Sequence, residues 1–143
     1  MKIVFSADEK NELTMQIIEY LGTFGEVTII DDNGKFPAWP EAGYKSARVV
    51  ADGKADIGVV MCYTGTGVTI AANKVRGIRC ALCKNAEMSK DARLWNDANM
   101  LSLGIIGLSI DEAKSIIDSF INTTHVDESE RKNILKLAEF ESL

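Results

Sequence analysis

Asp56-Ile-Gly-Val-Val-Met-Cys62-Tyr-Thr64-Gly65-Thr-Gly67-Val-Thr69-Ile-Ala-Ala-Asn73-Lys74 runs from an apolar, β-branched stretch through a thiol into a glycine loop and a helix-forming segment. An apolar run of this kind reads as a strand covered on both faces. Gly65 and Gly67 let the backbone turn sharply and bring its N–H groups close to a ligand. A helix starting near Thr69 would add its positive end to the same place, which favours phosphate or a developing oxyanion. Cys62 would then stand beside a site built for negative charge, as nucleophile or base. The bland alternative is a common strand-to-helix turn with the cysteine as a small apolar filler.

Three better-known loops are excluded by single residues. A thiol phosphatase needs an arginine six residues after its cysteine, where this chain has Val68. A nucleotide P-loop closes on Gly-Lys-Ser/Thr, whereas Gly67 is followed by Val68 and Thr69. A dinucleotide fingerprint would place its third glycine at Ile70.

Outward from this stretch, strand and helix signals alternate. Lys2–Ser6 reads as a strand and Glu9–Gly22 as a one-faced helix on Leu13, Ile17, Ile18 and Leu21. Val27–Ile30 is a second strand, and Pro40 opens a helix that Gly53 stops. After the Cys62 strand and its helix come a strand at Ile78–Cys83, a helix near Ser89–Trp95 and a strand at Met100–Leu103. Helices at Asp111–Ile121 and Glu128–Phe140 complete the chain. Repeated strand–helix units with short links predict an α/β, Rossmann-like three-layer fold, a five-stranded parallel sheet with helices on both faces. At 143 residues, without a linker or repeat, the chain reads as one domain over 1–143.

Composition narrows the partners. A net charge of −5 with scattered Lys and Arg leaves no basic footprint for nucleic acid, and the apolar runs are too short to span a bilayer. Met1-Lys-Ile-Val-Phe5 enters a strand pattern with no signal-peptide character, so a cytoplasmic location is expected. Three cysteines, an odd number, argue against a disulfide framework. Cys80 and Cys83 form a C-x-x-C, but an odd spacing along a strand points them to opposite faces. His125 is the only histidine, so no histidine-based triad or metal cluster is available within one copy.

Ligands of parallel sheets gather at the carboxyl edge of the strands. Asp8 and Cys62, each just at the end of a strand, would reach that edge, and Asn96 would approach from another side or from a second subunit. Asp8 has the alternative of capping the helix near Glu9, and Asn96 of closing a turn.

The segment from Cys62 through Gly65-Thr66-Gly67, Ile70-Ala-Ala-Asn73 and Cys83, followed by Asn96-Asp-Ala-Asn-Met-Leu-Ser-Leu-Gly104, closely resembles the sugar-phosphate isomerases that include type B ribose-5-phosphate isomerase and the galactose-6-phosphate isomerase subunits. The resemblance runs without gaps from Pro40 to about Ala113. It implies an aldose–ketose isomerase that shifts a proton between C1 and C2 through an enediolate, with no metal or organic cofactor. It implies homodimers or tetramers whose active sites are shared, and a C-terminal helix lying on the dimer partner. Cys62 matches the family's catalytic cysteine, the base. Thr64 would assist proton exchange, Gly65, Thr66 and Gly67 would hold the enediolate oxygen, and Thr69 would support the loop. Asp8 would orient hydroxyls, and Asn96 would arrive from the neighbouring subunit.

Departures from the pattern bear on the substrate. The family's Asp-His pair reads Asp8-Glu9 here, and the histidine credited with ring opening falls on Trp95. The arginine expected after the Leu-x-Leu-Gly strand falls on Ile106, and the C-terminal arginine pair is absent around Ser129 and Asn133, with Arg131 and Lys132 nearby as phosphate-binding candidates. Proton-transfer residues are kept while ring-opening and phosphate contacts change, so the resemblance implies the reaction class and leaves open a substrate shifted to a tetrose, pentose or hexose phosphate. A second class stays open, a weakly active or non-catalytic subunit of a hetero-oligomeric isomerase.

Overall fold

The computed structural model describes residues 1–143. The strands β1 (Lys2–Ala7), β2 (Glu26–Ile29), β3 (Ile57–Cys62), β4 (Cys80–Leu82) and β5 (Met100–Gly104) alternate with helices α1 (Glu12–Leu21), α2 (Trp39–Ala51), α3 (Thr66–Ala72), α4 (Ala86–Asn96) and α5 (Ile110–Asn122). A short 3₁₀ turn, Glu128–Glu130, leads into α6 (Arg131–Phe140). The sheet has the order β2-β1-β3-β5-β4, and all its pairings are parallel. This is the five-stranded α/β arrangement that the alternating pattern predicts. No helix is long and apolar enough to cross a membrane.

Every residue of β3 is buried, as its continuous apolar run requires. Ile57, Val59 and Met61 enter a core shared with α1, α4 and α5, whereas Val60 and Cys62 enter a second core with residues of α2 and α3. Period-2 alternation thus assigns the Cys62 side chain to the α3 face. The same rule separates the C-x-x-C pair, since Cys80 packs in the second core and Cys83 in the first. Burial pushes the Cys80 thiol up to about 12 and the Cys83 thiol up to about 11.

Helix starts differ from the sequence reading where a better cap wins. The first helix begins at Glu12 rather than Glu9, because Asn11 accepts from the Thr14 N–H at 2.9 Å while its own N–H donates to the Thr14 hydroxyl at 2.9 Å. Asp8 is therefore not a cap. The third helix begins at Thr66 rather than Thr69, since Gly65, at φ 80°, turns the chain directly into it. Sequence periodicity missed this, because the first turn of α3 consists of loop-like Thr and Gly.

The edge strand β4 is shorter than the Ile78–Cys83 segment suggests. Its outset is held by Asn73, which caps α3 and acts as a surrogate strand: its side-chain amide donates to the Cys80 carbonyl at 3.0 Å and accepts from the Cys80 N–H at 2.8 Å. Removing this side chain leaves both groups unpaired at a buried residue, at a cost of about 1–3 kcal/mol each when unsatisfied. Asn73→Ala should lower the unfolding free energy by about 2–3 kcal/mol in urea titrations with an unchanged m-value. A loss below about 0.5 kcal/mol would mean the clamp contributes nothing.

Candidate active site

The carboxyl edge of β3 carries the thiol and the glycine loop. Gly104, at the end of β5, pairs with Cys62, and Cβ atoms built at Gly104 and Gly65 show why both positions lack a side chain. At Gly104 the added atom would lie 2.7 Å from the Thr64 carbonyl oxygen. At Gly65 it would lie 2.5 Å from a Leu82 methyl and 2.9 Å from the Gly104 nitrogen. The loop backbone therefore rests directly on the end of β5. The N–H groups of Ile105 and Ile106 donate to the carbonyls of Cys62 and Tyr63, each at 3.0 Å, and extend the ladder past the strand ends.

Thr69 ties the loop from the helix side. Its hydroxyl donates to the Gly65 carbonyl at 2.6 Å and meets the buried Ser102 hydroxyl, so Ser102 is the donor in that second contact. Thr64 and Thr66 share a hydroxyl–hydroxyl hydrogen bond of 2.8 Å. With these groups fixed, the backbone N–H groups of Gly65, Gly67 and Val68 donate to nothing within the chain. Trp39, which the sequence reading passed over, lies against Gly67: an added Cβ there would stand 2.8 Å from its ring.

Asp8 reaches the same edge. Ala7 pairs with Met61, and the Asp8 N–H donates to the Met61 carbonyl at 3.2 Å, so Asp8 follows β1 where Cys62 ends β3. Burial raises the Asp8 carboxyl above the ordinary range, with a lowering from its backbone hydrogen bond and a further rise from Glu9, which is exposed beside it. Cys62 itself is 5% exposed.

Trp95 and Asn96 are not brought to this edge within one chain. They end α4, ahead of β5, so Asn96 lies beyond the Gly58–Met100 end of the sheet. The four residue steps to Gly104 alone separate the two ends by roughly 13 Å at about 3.3 Å per step. In the following turn Asp97 takes φ 50°, and Arg79 donates to its carbonyl at 2.6 Å and pairs with its carboxylate at 3.1 Å. Trp95 is 47% exposed. Arg131 and Lys132 lie on α6, and the Arg131 guanidinium is engaged by Glu128 at 2.6 and 2.8 Å.

Two concavities flank these residues. The larger, about 1080 Å³, follows the edge strand β4 between α4 and α6 and contains Trp95, Asn96, Leu137 and Phe140. The smaller, about 470 Å³, opens at the carboxyl edge, with Thr64 and Thr66 on one wall and Leu82, Lys84, Ile106 and Glu112 among the others. Cys62 lines neither; the smaller includes the glycine loop that follows it, and the two meet at Leu82 and Cys83. Sequence reasoning missed Lys84, since a lone exposed lysine before a helix carries no pattern.

Comparison with known proteins accords with this geometry. Residues 3–137 match the family model described as Ribose/Galactose Isomerase. A ribose-5-phosphate isomerase B of Mycobacterium leprae is 37% identical over an alignment covering 99% of this chain and 90% of that protein. A galactose-6-phosphate isomerase subunit LacB of Clostridium acetobutylicum is 36% identical, covering 87% and 73% of the two chains. The D-erythrulose-4-phosphate isomerase of Pectobacterium atrosepticum is 34% identical over 85% and 83%. The solved ribose-5-phosphate isomerase B of Clostridium thermocellum superposes with a TM-score of 0.91 at 35% identity, over 99% of this chain and 98% of the other. The sheet order, the glycine loop on β5 and these matches together place the chain in the ribose/galactose isomerase family of sugar-phosphate isomerases.

Proposed function

We propose that this enzyme interconverts the aldose and ketose forms of a small sugar phosphate by a 1,2 proton shift, with Cys62 as the base. The observation that carries this reading is the meeting of Cys62, Asp8 and the unpaired N–H groups of the Gly65–Gly67 loop at one edge of the sheet. In the forward direction the Cys62 thiolate takes the hydrogen from C2 as a proton, and the electron pair left behind forms the C1–C2 double bond of an enediolate. Returning the proton to C1 yields the ketose. The oxygen that gains charge faces loop N–H donors, each worth about 3 kcal/mol of barrier in comparable sites. Thr64 relays the proton between the two substrate oxygens, Thr69 holds the loop, and Asp8 with Glu9 orients hydroxyls.

Trp95 and Asn96 serve this site only if a second copy supplies them, because their own sheet separates them from Cys62. The tail supports such an assembly: no residue of α6 is buried, and Leu137 and Phe140 are 43% and 57% exposed. Arg131 and Lys132 would be carried by the same helix. The relative named as an isomerase subunit supports a second reading, in which this chain works only beside a different chain. Activity of the purified chain alone separates the two.

Within the family reading, a tetrose 4-phosphate suits the site. Its O4 is esterified, so it cannot close a furanose, and Trp95 in place of a ring-opening residue then costs nothing in mechanism. The similarity to a D-erythrulose-4-phosphate isomerase supports this choice.

Cys62→Ala should remove nearly all turnover while circular dichroism remains that of the folded wild type, and Cys62→Ser should recover little, because a hydroxyl is far less readily deprotonated than a thiol at neutral pH. Full activity in Cys62→Ala would eliminate the mechanism. Across a panel of tetrose, pentose and hexose phosphates, kcat/KM should favour the four-carbon substrate over ribose 5-phosphate by at least about tenfold, or roughly 1.4 kcal/mol of transition-state preference. Equal turnover of ribose 5-phosphate would overturn the tetrose assignment and leave the reaction class in place. Deleting residues 127–143 should give an inactive monomer by light scattering; a dimeric, active truncated enzyme would refute the shared site.

A further inference from the structure

The cleft of about 470 Å³ at the carboxyl edge has an uneven charge pattern. Its lining combines the linked hydroxyls of Thr64 and Thr66 with the apolar side chains of Leu82, Ile106 and Leu108. Lys84 is the only cationic side chain lining it. Lys84 is exposed, directly precedes the α4 cap Asn85, and makes no ion pair or side-chain hydrogen bond, unlike Lys45 and Lys136, which are paired with glutamates. The one acidic residue of the cleft, Glu112, already accepts from the Ser109 N–H at 3.2 Å in the capping box of α5, and does not pair with Lys84.

Thr64 and Thr66 belong at once to this cleft and to the loop that follows Cys62, whose side chain lies on the α3 face. A substrate held against the N–H groups of this loop therefore has Lys84 as the one cationic side chain in the adjoining cleft. An unpaired ammonium on a flexible stem suits a tetrahedral dianion, which it meets as a point charge without the planar match that a guanidinium makes with a carboxylate.

We propose that Lys84 binds the phosphate of the substrate, as a specificity-determining residue contributed by the same chain that carries Cys62. This rests on the sugar-phosphate reading of the site, and it differs from a phosphate grip by Arg131 and Lys132, of which Arg131 is already engaged by Glu128.

The test compares wild type with Lys84→Gln, Lys84→Arg, the double variant Arg131→Gln/Lys132→Gln, and the surface control Lys45→Gln. Inorganic phosphate binding is followed by NMR titration, and turnover is measured on a sugar phosphate and on the same sugar without phosphate. Lys84→Gln should weaken phosphate binding and raise KM for the sugar phosphate at least about tenfold, with kcat within about threefold of wild type and no change on the unphosphorylated sugar. Lys84→Arg should stay within about threefold on both readouts, and Lys45→Gln should match wild type. Unchanged phosphate affinity and KM in Lys84→Gln, or loss confined to the Arg131→Gln/Lys132→Gln variant, would overturn the assignment, as would a wild type that binds no phosphate. Phosphate binding that depends on Lys84 in a protein with no turnover on any sugar phosphate would count against the isomerase reading and support the Lys84 site.

Discussion

The Thr64–Gly65 backbone rests on the end of β5 with no side chain between them, and the rest of the site depends on that contact. A Cβ at Gly104 would fall inside hydrogen-bond distance of the Thr64 carbonyl, and one at Gly65 would meet the Gly104 nitrogen. Because both residues are glycine, β3 can end in a thiol, turn at once through a positive φ, and enter α3 while remaining hydrogen-bonded to its neighbour strand. Thr69 and Ser102 then lock the loop from the other side. In the proposed reaction, a loop held this way would present its N–H groups to developing charge without reorganisation, the condition under which such donors are most effective.

The fold was largely readable from periodicity. The β3 run, the one-faced helices and the short links lead to a parallel sheet, and the odd spacing of Cys80 and Cys83 correctly separates them onto two faces. Boundaries went astray where side-chain hydrogen bonds override periodicity. Asn11, not Asp8, caps the first helix, and Asn73 stands in for part of the strand expected at Ile78. Of the site, Cys62, Asp8 and the glycine loop could be placed because each follows a recognisable strand. Trp39 and Lys84 could not, since their relation to the loop arises from packing between segments distant in sequence.

The two ends of the sheet divide the chemistry. Cys62, Asp8 and Lys84 belong to the carboxyl edge, whereas Trp95, Asn96 and the exposed stripe of α6 belong to the β4 side and the opposite end. Under the proposed assembly, a chain organised this way carries the two halves of the site on separate surfaces, with Trp95 and Asn96 exposed ahead of the Asp97 turn that Arg79 holds.

Solvent hydrogen exchange at carbon tests the central claim most directly. With the enzyme incubated in D₂O with its aldose phosphate, proton NMR of the ketose should show carbon-bound deuterium at C1, because a proton held on the Cys62 thiol can exchange with solvent before it returns, and Cys62→Ala should show none over the same interval. Ketose formed with no deuterium at C1, or exchange at the wild-type rate in Cys62→Ala, would contradict proton transfer by this residue.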